Sequence, residues 1–293
     1  MAATTKPFDN RDGSIWLDGK LVPWREANVH VLTHALHYAS CVFEGERIYS
    51  GRIFKLREHS QRLIDSARIL GFEIPWTLEQ IEAASNETVK AAGILDGYVR
   101  PVAWRGPEQM GVAAQLTKVH MAIAVWDDWK DYFSPEARLK GIRMSISKWA
   151  RPAPNTAPTA AKAAGLYMIC TMSKHAAEAE GFDDALMLDY RGQIAEATGA
   201  NIFFGIDGEL HTPTPDCFLD GITRRAVIGL ANARQIKVIE RPMMPSEMGR
   251  AQEVFVTGTA AEIAPVTQIA EHKYPVGPIA KQLMADFDKL VRA

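Results

Sequence analysis

The stretch Pro158-Thr159-Ala160-Ala161-Lys162-Ala163-Ala164-Gly165-Leu166-Tyr167 places a single lysine among residues that have almost no side chain. Small neighbours let backbone and ligand approach the amine closely, and none of them offers Lys162 a carboxylate. A lysine that loses its water shell holds its proton less tightly and becomes a nucleophile. The alternative is an exposed lysine in a connection rich in proline and alanine, so the remaining sequence has to decide between the two.

The composition is that of a globular protein with a sizeable core and no strong overall charge. The chain has 293 residues, of which 47% are hydrophobic and 23% charged. Its 33 basic and 35 acidic residues nearly cancel, so neither nucleic acid nor an anionic membrane is expected as a partner. The polar N-terminus and the absence of a run of about 18 apolar residues predict neither a signal peptide nor a membrane span.

The cysteines indicate the compartment. The chain has three, an odd number, and they are far apart in the sequence. No Cys/His spacing typical of a metal site occurs, so a reducing cytoplasm is favoured over a disulfide framework. No metal is expected. The cysteines are Cys41, Cys170 and Cys217.

Residues 1–130 predict an antiparallel α+β domain. The apolar segments 15–17 and 21–24 flank an Asp-Gly turn, which is typical of a β-hairpin, and Ser50-Gly51 predicts a second one. Helical periodicity covers 56–70 and 77–93. Core strands are expected at 98–104 and 119–126.

Two polar features of this half have alternative interpretations. His30, His34 and His37 stand at helical spacing and could form a metal face, but no further ligand follows, so packing histidines are favoured. Arg62 lies at the edge of an apolar helical stripe. From spacing alone it is expected to extend its charged end into solvent; the alternative is that it reaches an internal anion.

Charges and Ser134-Pro135 interrupt the periodicity after residue 130, which predicts an interdomain linker at 131–141. The second domain then covers 142–293. A helix over 164–177 is expected to bury an apolar stripe. The stripe consists of Leu166, Ile169, Met172 and Ala176.

Three turns of this domain carry candidate site residues. Glu196 precedes a small-residue turn, where a carboxylate is either a capping acceptor or a buried charge with a specific partner. Gly221-Ile222-Thr223 begins a helix, and its unpaired N–H groups could bind an anion such as phosphate. Thr257-Gly258-Thr259-Ala260-Ala261 is a further turn that presents backbone N–H groups and hydroxyls.

In their joint order these motifs resemble the branched-chain amino acid aminotransferases of the fold type IV group of pyridoxal-phosphate enzymes. The resemblance runs from about Ile15 to the last helix. It implies an α+β / α/β fold with a smaller N-terminal α+β domain and a larger C-terminal pseudo-barrel domain that carries the Schiff-base lysine. The motifs are His34-Ala35-Leu36-His37-Tyr38, Val42-Phe43-Glu44-Gly45, His59-Ser60-Gln61-Arg62-Leu63, Tyr98-Val99-Arg100-Pro101, Met110-Gly111-Val112, the Pro158 to Tyr167 stretch, Glu196 with Gly199 and Asn201, Gly221-Ile222-Thr223-Arg224 and Thr257 to Glu262.

The resemblance implies pyridoxal 5′-phosphate as cofactor and assigns residues to it. Lys162 matches the lysine that forms the Schiff base and moves the substrate proton. Glu196 matches the carboxylate that pairs with the pyridine nitrogen, and Tyr167 matches the tyrosine that bonds the 3′ oxygen. The phosphate would be held by Arg62, Ile222, Thr223 and Thr259.

The resemblance also implies a substrate pocket and a homodimer or a higher assembly. Arg100 matches the residue that binds the acidic substrate, and the Thr259-Ala260 turn matches the site of the α-carboxylate. Because the pocket borrows residues from a neighbouring subunit, the active sites would lie at the dimer interface. The pocket walls would be Phe43 and Tyr98, with Tyr38 and Val112 from the neighbour.

The expected reaction is therefore ping-pong transamination between Leu, Ile or Val and 2-oxoglutarate in branched-chain amino acid biosynthesis. The alternatives are another fold type IV activity, namely a D-amino acid or (R)-amine transaminase or a lyase, and a non-catalytic module that keeps the fold. Three departures from the family pattern bear on substrate range. They are Glu46, where relatives often have an apolar residue, Ala200, where many have glutamate, and the loop 106–117.

Overall fold

The computed structural model describes residues 7–127 and 139–293. Their contacts form two compact units: unit 1 contains 7–127 together with Ala161–Gly165, and unit 2 contains 139–160 together with Leu166–Ala293. The Lys162 segment, expected in the C-terminal domain, thus packs with unit 1. Most of the predicted linker, up to residue 138, lies outside the described residues, and the proposed domain boundaries stay a prediction.

Unit 1 is built on one sheet whose strands run in the order β2-β1-β7-β6-β4-β5, with β3 also paired to β6. Its helices are α1 (His34–Tyr38), α2 (Leu56–Ile69) and α3 (Leu78–Ala92). Thr77 caps α3 with a capping box that includes Gln80, so the expected start of this helix is confirmed. The strands are β1 (Ser14–Leu17), β2 (Lys20–Pro23), β3 (Cys41–Phe43), β4 (Glu46–Tyr49), β5 (Arg52–Ile53), β6 (Gly97–Arg105) and β7 (Val119–Trp126).

Both predicted hairpins of unit 1 are confirmed. Asp18 and Gly19 connect β1 to β2 with φ values of 47° and 97°, and Ser50 and Gly51 connect β4 to β5 with 50° and 78°. Two successive residues with positive φ give the two-residue turn whose twist matches that of the flanking strands.

The two faces of β6 have different surroundings. Val99 is fully buried in the core of unit 1 with Ile48, Leu63 and Ile123. Because successive side chains of a strand point to opposite faces, Tyr98 and Arg100 lie on the other face of the sheet. We call this second surface the site face.

Unit 2 is built on a nine-stranded mixed sheet in the order β10-β9-β8-β15-β14-β11-β12-β13, with β16 paired to β15. Its strands are β8 (Ile142–Ile146), β9 (Asp184–Leu188), β10 (Ile194–Ala197), β11 (Asn201–Ile206), β12 (Glu209–Thr212), β13 (Val238–Glu240), β14 (Glu253–Gly258), β15 (Glu262–Ile269) and β16 (His272–Lys273). Its helices are α4 (Tyr167–Ala179), α5 (Ile222–Ala233) and α6 (Pro278–Arg292).

The predicted apolar stripe of α4 is wrong. The buried residues of this helix are Cys170, Ser173 and Ala177, whereas Met172 and Ala176 are exposed. A serine faces the interior at low cost because its hydroxyl donates to the carbonyl of Ile169 at 2.7 Å, within the same helix.

No helix of the described ranges is long and apolar enough to cross a membrane.

Candidate active site

The Lys162 segment is fixed in unit 1 through its backbone. The Lys162 N–H donates to Ser66 Oγ at 3.0 Å, and its carbonyl accepts from the Phe43 N–H at 3.1 Å. Ala163 forms a β-bridge with Val42. The side chain of Lys162 is partly buried, and Nζ lies 5.0 Å from the centroid of the Phe43 ring. The small residues around Lys162 therefore allow a close backbone contact on the edge of β3.

Arg62 contacts a buried carboxylate. Its Nε and Nη2 donate to the two oxygens of Glu44 at 2.6 and 2.8 Å, a bidentate pair. The side chain of Arg62 is only 15% exposed, and that of Glu44 is 0% exposed. Of the two interpretations offered by the sequence, the internal anion is thus confirmed, and in unit 1 that anion is Glu44.

His59 completes this cluster. Its Nδ1 lies 2.6 Å from Glu44 Oε2. Burial would raise the pKa of Glu44, but the charges and hydrogen bonds of Arg62 and His59 outweigh it and hold that pKa well below its usual range. Burial also lowers the pKa of His59, although Glu44 opposes this. An ionised Glu44 can only accept hydrogen bonds, so His59 donates its Nδ1 proton to it.

Glu46, the departure noted in the sequence, is a second buried carboxyl in the same region. The side chain is fully buried, and neither oxygen has a hydrogen-bond partner among the described residues. Burial and then the charge of Glu44 raise its pKa well above the usual value, and Arg62 offsets this only in part. Burial therefore makes Glu46 harder to ionise inside unit 1.

Replacing Glu46 by leucine is expected to stabilise the protein at alkaline pH. Because the folded pKa is raised, the contribution of Glu46 to stability is fully present below its unfolded pKa and is lost as pH rises through the folded one. The variant has no such loss and no unpartnered polar group. Its free energy of unfolding should exceed that of the parent by about 1–3 kcal/mol at pH 8, and by less at pH 5.

Urea unfolding of both proteins at the two pH values measures this difference. The exposed Glu87 of α3 supplies the control, since Glu87→Leu should change the free energy of unfolding by a similar small amount at both pH values. A difference between Glu46→Leu and the parent that stays constant from pH 5 to pH 8 would contradict the raised pKa of Glu46.

Arg100 lies on the site face beside two aromatic rings. Its Cζ is 4.8 Å from the centroid of Phe43 and 5.4 Å from that of Tyr98, and Nη2 is 3.4 Å from the Tyr98 hydroxyl. The Nε atom is buried without a hydrogen-bond partner in the described part of the chain. Since Lys162 Nζ lies over the same Phe43 ring, the structure brings Lys162, Phe43, Tyr98 and Arg100 together.

Gly45 is required for this arrangement. A Cβ atom at that position would lie 1.9 Å from the Tyr98 hydroxyl oxygen, a distance that no real contact reaches. Any side chain at residue 45 would therefore force the Tyr98 ring to move.

Glu196 is a buried charge of unit 2 with specific partners. Arg151 Nε lies 3.3 Å from Glu196 Oε1, and the side-chain amide of Asn201 donates to Oε2 at 3.3 Å. The same amide donates to the Leu219 carbonyl at 2.9 Å, which connects the carboxylate to the segment before α5. Of the two interpretations from the sequence, a buried charge with a specific partner is confirmed.

Two turns of unit 2 present donors. No side chain caps α5 at Gly221, and the first helical bond runs from the Arg225 N–H to the Gly221 carbonyl, so the N–H groups of Ile222 and Thr223 precede the helical ladder. Thr223 is buried. Thr259 and Ala260 form the half-buried turn between β14 and β15, and the buried Thr257 hydroxyl before it has no hydrogen-bond partner in the described ranges.

The remaining predicted residues occupy less buried positions. Tyr38 ends α1 and Val112 lies at the tip of the loop after β6; they are 42% and 85% exposed. Tyr167 is half-buried at the first position of α4.

The described residues contain one group with metal-type ligands, Asp189, Asp216 and Cys217. Arg191 Nη2 donates to Asp189 at 2.6 Å and to Asp216 at 2.9 Å, so a guanidinium already pairs with both carboxylates. His34 and His37 bond backbone carbonyls, those of Gly111 at 2.9 Å and Val31 at 3.0 Å.

Comparison with known proteins identifies the family. A family model described as amino-transferase class IV matches residues 41–269. The chain belongs to the class IV aminotransferases. A branched-chain-amino-acid aminotransferase of Pseudomonas aeruginosa is 39% identical to it over 289 residues, which cover 96% of this chain and 94% of the relative. The enzyme of that name from Escherichia coli K12 is 38% identical over 97% of this chain and 93% of the relative.

Solved structures of such enzymes share the fold. The branched-chain amino acid aminotransferase of the organism abbreviated T.th., with pyridoxamine 5′-phosphate, matches this class IV aminotransferase with a TM-score of 0.93 and 38% identity, over 97% of this chain and 96% of that one. The same enzyme in complex with N-(5′-phosphopyridoxyl)-L-glutamate matches with a TM-score of 0.91 and 37% identity. This match covers 96% of this chain and 95% of that one. Its complex with 4-methylvaleric acid matches with a TM-score of 0.90 and 37% identity. This match covers 97% of this chain and 96% of that one. The expected fold type IV aminotransferase fold, of class α+β / α/β, is confirmed.

Sequence reasoning missed three residues that position the candidates. Glu44 and His59 stood inside the family motifs but received no role, and Arg151 was not singled out. A signal for Arg151 did exist, because Glu196 was expected to need a partner, but no spacing in the sequence connects two residues that are 45 positions apart. The β-bridge between Arg151 and Asp189, which places Arg151 beside the β9 region, brings it near Glu196 in unit 2.

Proposed function

We propose that this chain is a pyridoxal-phosphate-dependent transaminase that exchanges the amino group between leucine, isoleucine or valine and 2-oxoglutarate by a ping-pong mechanism. The observation that carries the proposal is the placement of Lys162, whose backbone is fixed by Ser66 and Phe43 while its amine lies over an aromatic ring. The family membership and relatives named for branched-chain substrates over nearly the whole chain support it.

The donor groups fit the proposed cofactor, which consists of a pyridine ring, an aldehyde and a phosphate. The aldehyde requires an amine, which is Lys162. The ring nitrogen requires a carboxylate, and Glu196 is held by Arg151 and Asn201. The phosphate requires N–H and hydroxyl donors, which the start of α5 and the turn after β14 present. Thr257, whose buried hydroxyl has no partner among the described residues, agrees with such a polar environment.

When bound, the cofactor supplies an electron sink for the carbanion formed at the substrate Cα. Glu196 would keep the pyridine nitrogen protonated, and a protonated nitrogen strengthens that sink. Lys162 takes the proton from the substrate Cα as general base and gives it back later in the half-reaction as general acid. Tyr167 would form a hydrogen bond with the 3′ oxygen of the ring.

We assign the phosphate to Arg62, Ile222, Thr223 and Thr259. Glu44 and His59 act through Arg62, because they fix its guanidinium in one orientation. Positioned donors bind an anion without a reorganisation cost at the moment of binding. Glu44 and His59 are thus positioning residues rather than catalytic ones.

Substrate recognition has to satisfy an aliphatic and an acidic side chain. Phe43 and Tyr98 offer apolar surface to the first, and the Arg100 guanidinium beside them offers charge to the second. The T.th. enzyme was crystallised both with 4-methylvaleric acid and with a phosphopyridoxyl derivative of L-glutamate, which is the pair of chemistries we propose here. The Thr259-Ala260 turn would orient the α-carboxylate.

Replacing Arg100 by alanine is expected to reduce the rate with L-glutamate by about 100-fold and the rate with L-leucine by less than about fivefold, because only glutamate loses a charge-assisted hydrogen bond. Single-turnover spectra with each amino acid measure the two rates. Arg105→Ala serves as control, because Arg105 lies at the far end of the same strand, donates to the carbonyls of Gly71 and Ala114, and should leave the ratio of the two rates unchanged. Equal losses for both substrates in Arg100→Ala would contradict the role of Arg100.

We further propose a homodimer or a higher assembly in which Tyr38 and Val112 complete the neighbour's pocket. Both residues belong to an exposed apolar patch of unit 1, made by the segment around α1 and the loop after β6. Hydrogen bonds of His34 to the carbonyls of Gly106 and Gly111 join these two segments. Large exposed apolar patches of this kind mark interaction surfaces. The patch consists of Val29, Val31, Leu32, Leu36, Tyr38, Met110, Val112 and Leu116.

We propose a cytoplasmic location and a role in branched-chain amino acid biosynthesis. All three cysteines are free thiols, which suits a reducing compartment.

A half-reaction panel tests the proposed function. The protein loaded with pyridoxal 5′-phosphate is mixed with L-leucine, L-valine, L-glutamate, D-alanine or (R)-1-phenylethylamine, and the visible absorbance band is followed. We expect the three L-amino acids to bleach the band and the other two to leave it. Bleaching by D-alanine or the amine without bleaching by L-leucine would establish a different fold type IV activity. A protein that stays colourless with the cofactor would overturn the proposal altogether.

A further inference from the structure

A cavity of about 450 Å³ lies in unit 1 beside Arg100. Aromatic and aliphatic side chains line most of it, and the charged or amide side chains of Asp9, Arg25 and Asn28 also line it. We call it the distal cavity. Its lining includes Phe8, Ile15, Trp24, Ala124, Trp126 and Arg100.

Strand register places this cavity on the site face. Arg100 is paired with Ala124, and Tyr98 is paired with Trp126. Residues directly opposite each other in an antiparallel pair point to the same face of the sheet. Arg100 therefore lies between the Phe43 ring on one side and the distal cavity on the other. A ligand that extends along the site face from Lys162 meets Arg100 first and the distal cavity next.

The segment before β1 forms the outer wall, and several contacts hold it. The Trp24 indole N–H donates to the Phe8 carbonyl at 2.5 Å, and the Phe8 ring makes an edge contact with Trp126 at a centroid distance of 5.3 Å. The Arg11 guanidinium lies over the Phe8 ring, 3.8 Å from its centroid. The tilted ring of Tyr98 lies 5.0 Å from that of Trp126. The aromatic rings of the wall are thus continuous with those near Lys162.

We propose that the distal cavity is a substrate subsite that accepts the aryl ring of an amino or 2-oxo acid whose side chain is longer than that of leucine. This inference deepens the proposed function and rests on it. Three indole or phenyl walls favour an aromatic occupant through edge and offset contacts. The planar guanidinium of Arg100, with a buried Nε that has no hydrogen-bond partner among the described residues, can stack on an aryl ring.

An aryl ring suits this cavity better than a second carboxylate does. A carboxylate would be bound at Arg100 itself, where the charge is, and would leave the apolar walls of Phe8, Trp24 and Trp126 in water. A ring instead removes both its own apolar surface and that of the walls from water, and this gain grows with the area covered.

Binding of substrate analogues without an amino group tests the subsite independently of catalysis. The probes are 4-phenylbutyrate, which has an aryl end, and 4-methylvalerate, which has the leucine side chain. Isothermal titration of the loaded protein measures both dissociation constants. We expect 4-phenylbutyrate to bind at least about tenfold more tightly, since burial of a phenyl ring outweighs that of an isopropyl group by this order.

The variant Ala124→Phe fills the cavity from the strand that faces Arg100. It should weaken the binding of 4-phenylbutyrate by about tenfold or more. The dissociation constant of 4-methylvalerate should change by less than about twofold. Ala122→Phe is the matched control, because Ala122 lies two residues away on the same face of β7 and does not line the cavity. It should leave the preference between the two probes unchanged.

A second variant keeps the test decisive if Ala124→Phe fails to fold. Phe8→Ala removes part of the outer wall at a residue that is 53% exposed, so the fold is retained. It should weaken the binding of 4-phenylbutyrate by about threefold or more and leave the binding of 4-methylvalerate unchanged. Equal changes for both probes in Ala124→Phe or in Phe8→Ala would overturn the subsite.

Failure of the subsite and failure of the proposed function are distinguishable. If L-leucine does not bleach the visible band, the transaminase proposal fails, while the preference for 4-phenylbutyrate still reports on the cavity. If L-leucine bleaches the band but L-homophenylalanine does so no faster in the parent than in Ala124→Phe, the subsite is refuted and transamination stands.

Discussion

Alanine at position 162 is expected to abolish the visible absorbance band of the loaded protein and to reduce transamination by about 10⁴-fold or more. The amine both anchors the cofactor and moves the substrate proton, and loss of a proton-transfer group alone costs about 10²–10⁴-fold. The fold should remain, because the contacts that hold Lys162 to Ser66 and Phe43 are made by its backbone, which alanine retains. Spectra of the loaded protein and single-turnover assays with L-leucine measure the effect.

Lys90→Ala is the matched control for this substitution. Lys90 lies on α3 in the same unit and is exposed, so its removal should change neither spectrum nor rate. Both variants should unfold at the temperature of the parent within a few degrees. A Lys162→Ala protein that still shows the band, or that transaminates L-leucine at more than about one hundredth of the parental rate, would exclude the assigned role.

Glu44→Gln is expected to lower the free energy of unfolding by about 3–5 kcal/mol. The substitution keeps the shape of the side chain but removes a fully buried charge, and it leaves the guanidinium of Arg62 without its bidentate carboxylate. Breaking a buried pair by removing one partner costs more than the pair itself contributes, because the remaining charge stays desolvated. Urea unfolding of the protein without added cofactor measures the loss.

The pH dependence of this loss has a definite sign. The pKa of Glu44 is lowered in the folded protein, so its contribution is present above the unfolded pKa and is lost as pH falls through the folded one. The difference between parent and Glu44→Gln should therefore be largest near neutral pH and shrink in acid. Glu58→Gln, which alters an exposed ion pair with Lys55 at the start of α2, should cost less than about 0.5 kcal/mol. A Glu44→Gln loss as small as that of Glu58→Gln would show that the cluster contributes no stability.

Local sequence patterns predicted much of the secondary structure. Asp18-Gly19 and Ser50-Gly51 specify their hairpins through backbone conformation alone, and Thr77 specifies the start of α3 by its capping hydrogen bonds. Such signals operate over a few residues, so they do not depend on the remaining chain. The motif order then supplied the family, which the comparisons confirm.

Partners distant in sequence could not be predicted in this way. Helical spacing predicted that the charged end of Arg62 extends into solvent. Its guanidinium instead donates to Glu44, 18 residues earlier in the sequence. The α4 stripe was misplaced because hydropathy ranks methionine above serine, whereas a serine that satisfies its own hydroxyl within the helix can face the interior. Glu46 departs from the family pattern, and only its burial shows that the departure places a second acid close enough for the charges of Glu44 and Arg62 to shift its pKa.

The packing of Ala161–Gly165 with unit 1 limits how this protein can be divided for study. A fragment that ends at residue 130 would lack the segment that accepts a hydrogen bond from the Phe43 N–H and forms a β-bridge with Val42. It would therefore expose that edge of β3. Unpaired strand edges promote aggregation. Expression of the N-terminal half alone should therefore give a poorly soluble product, whereas a fragment supplied with a peptide spanning Pro158 to Tyr167 should recover solubility by strand addition.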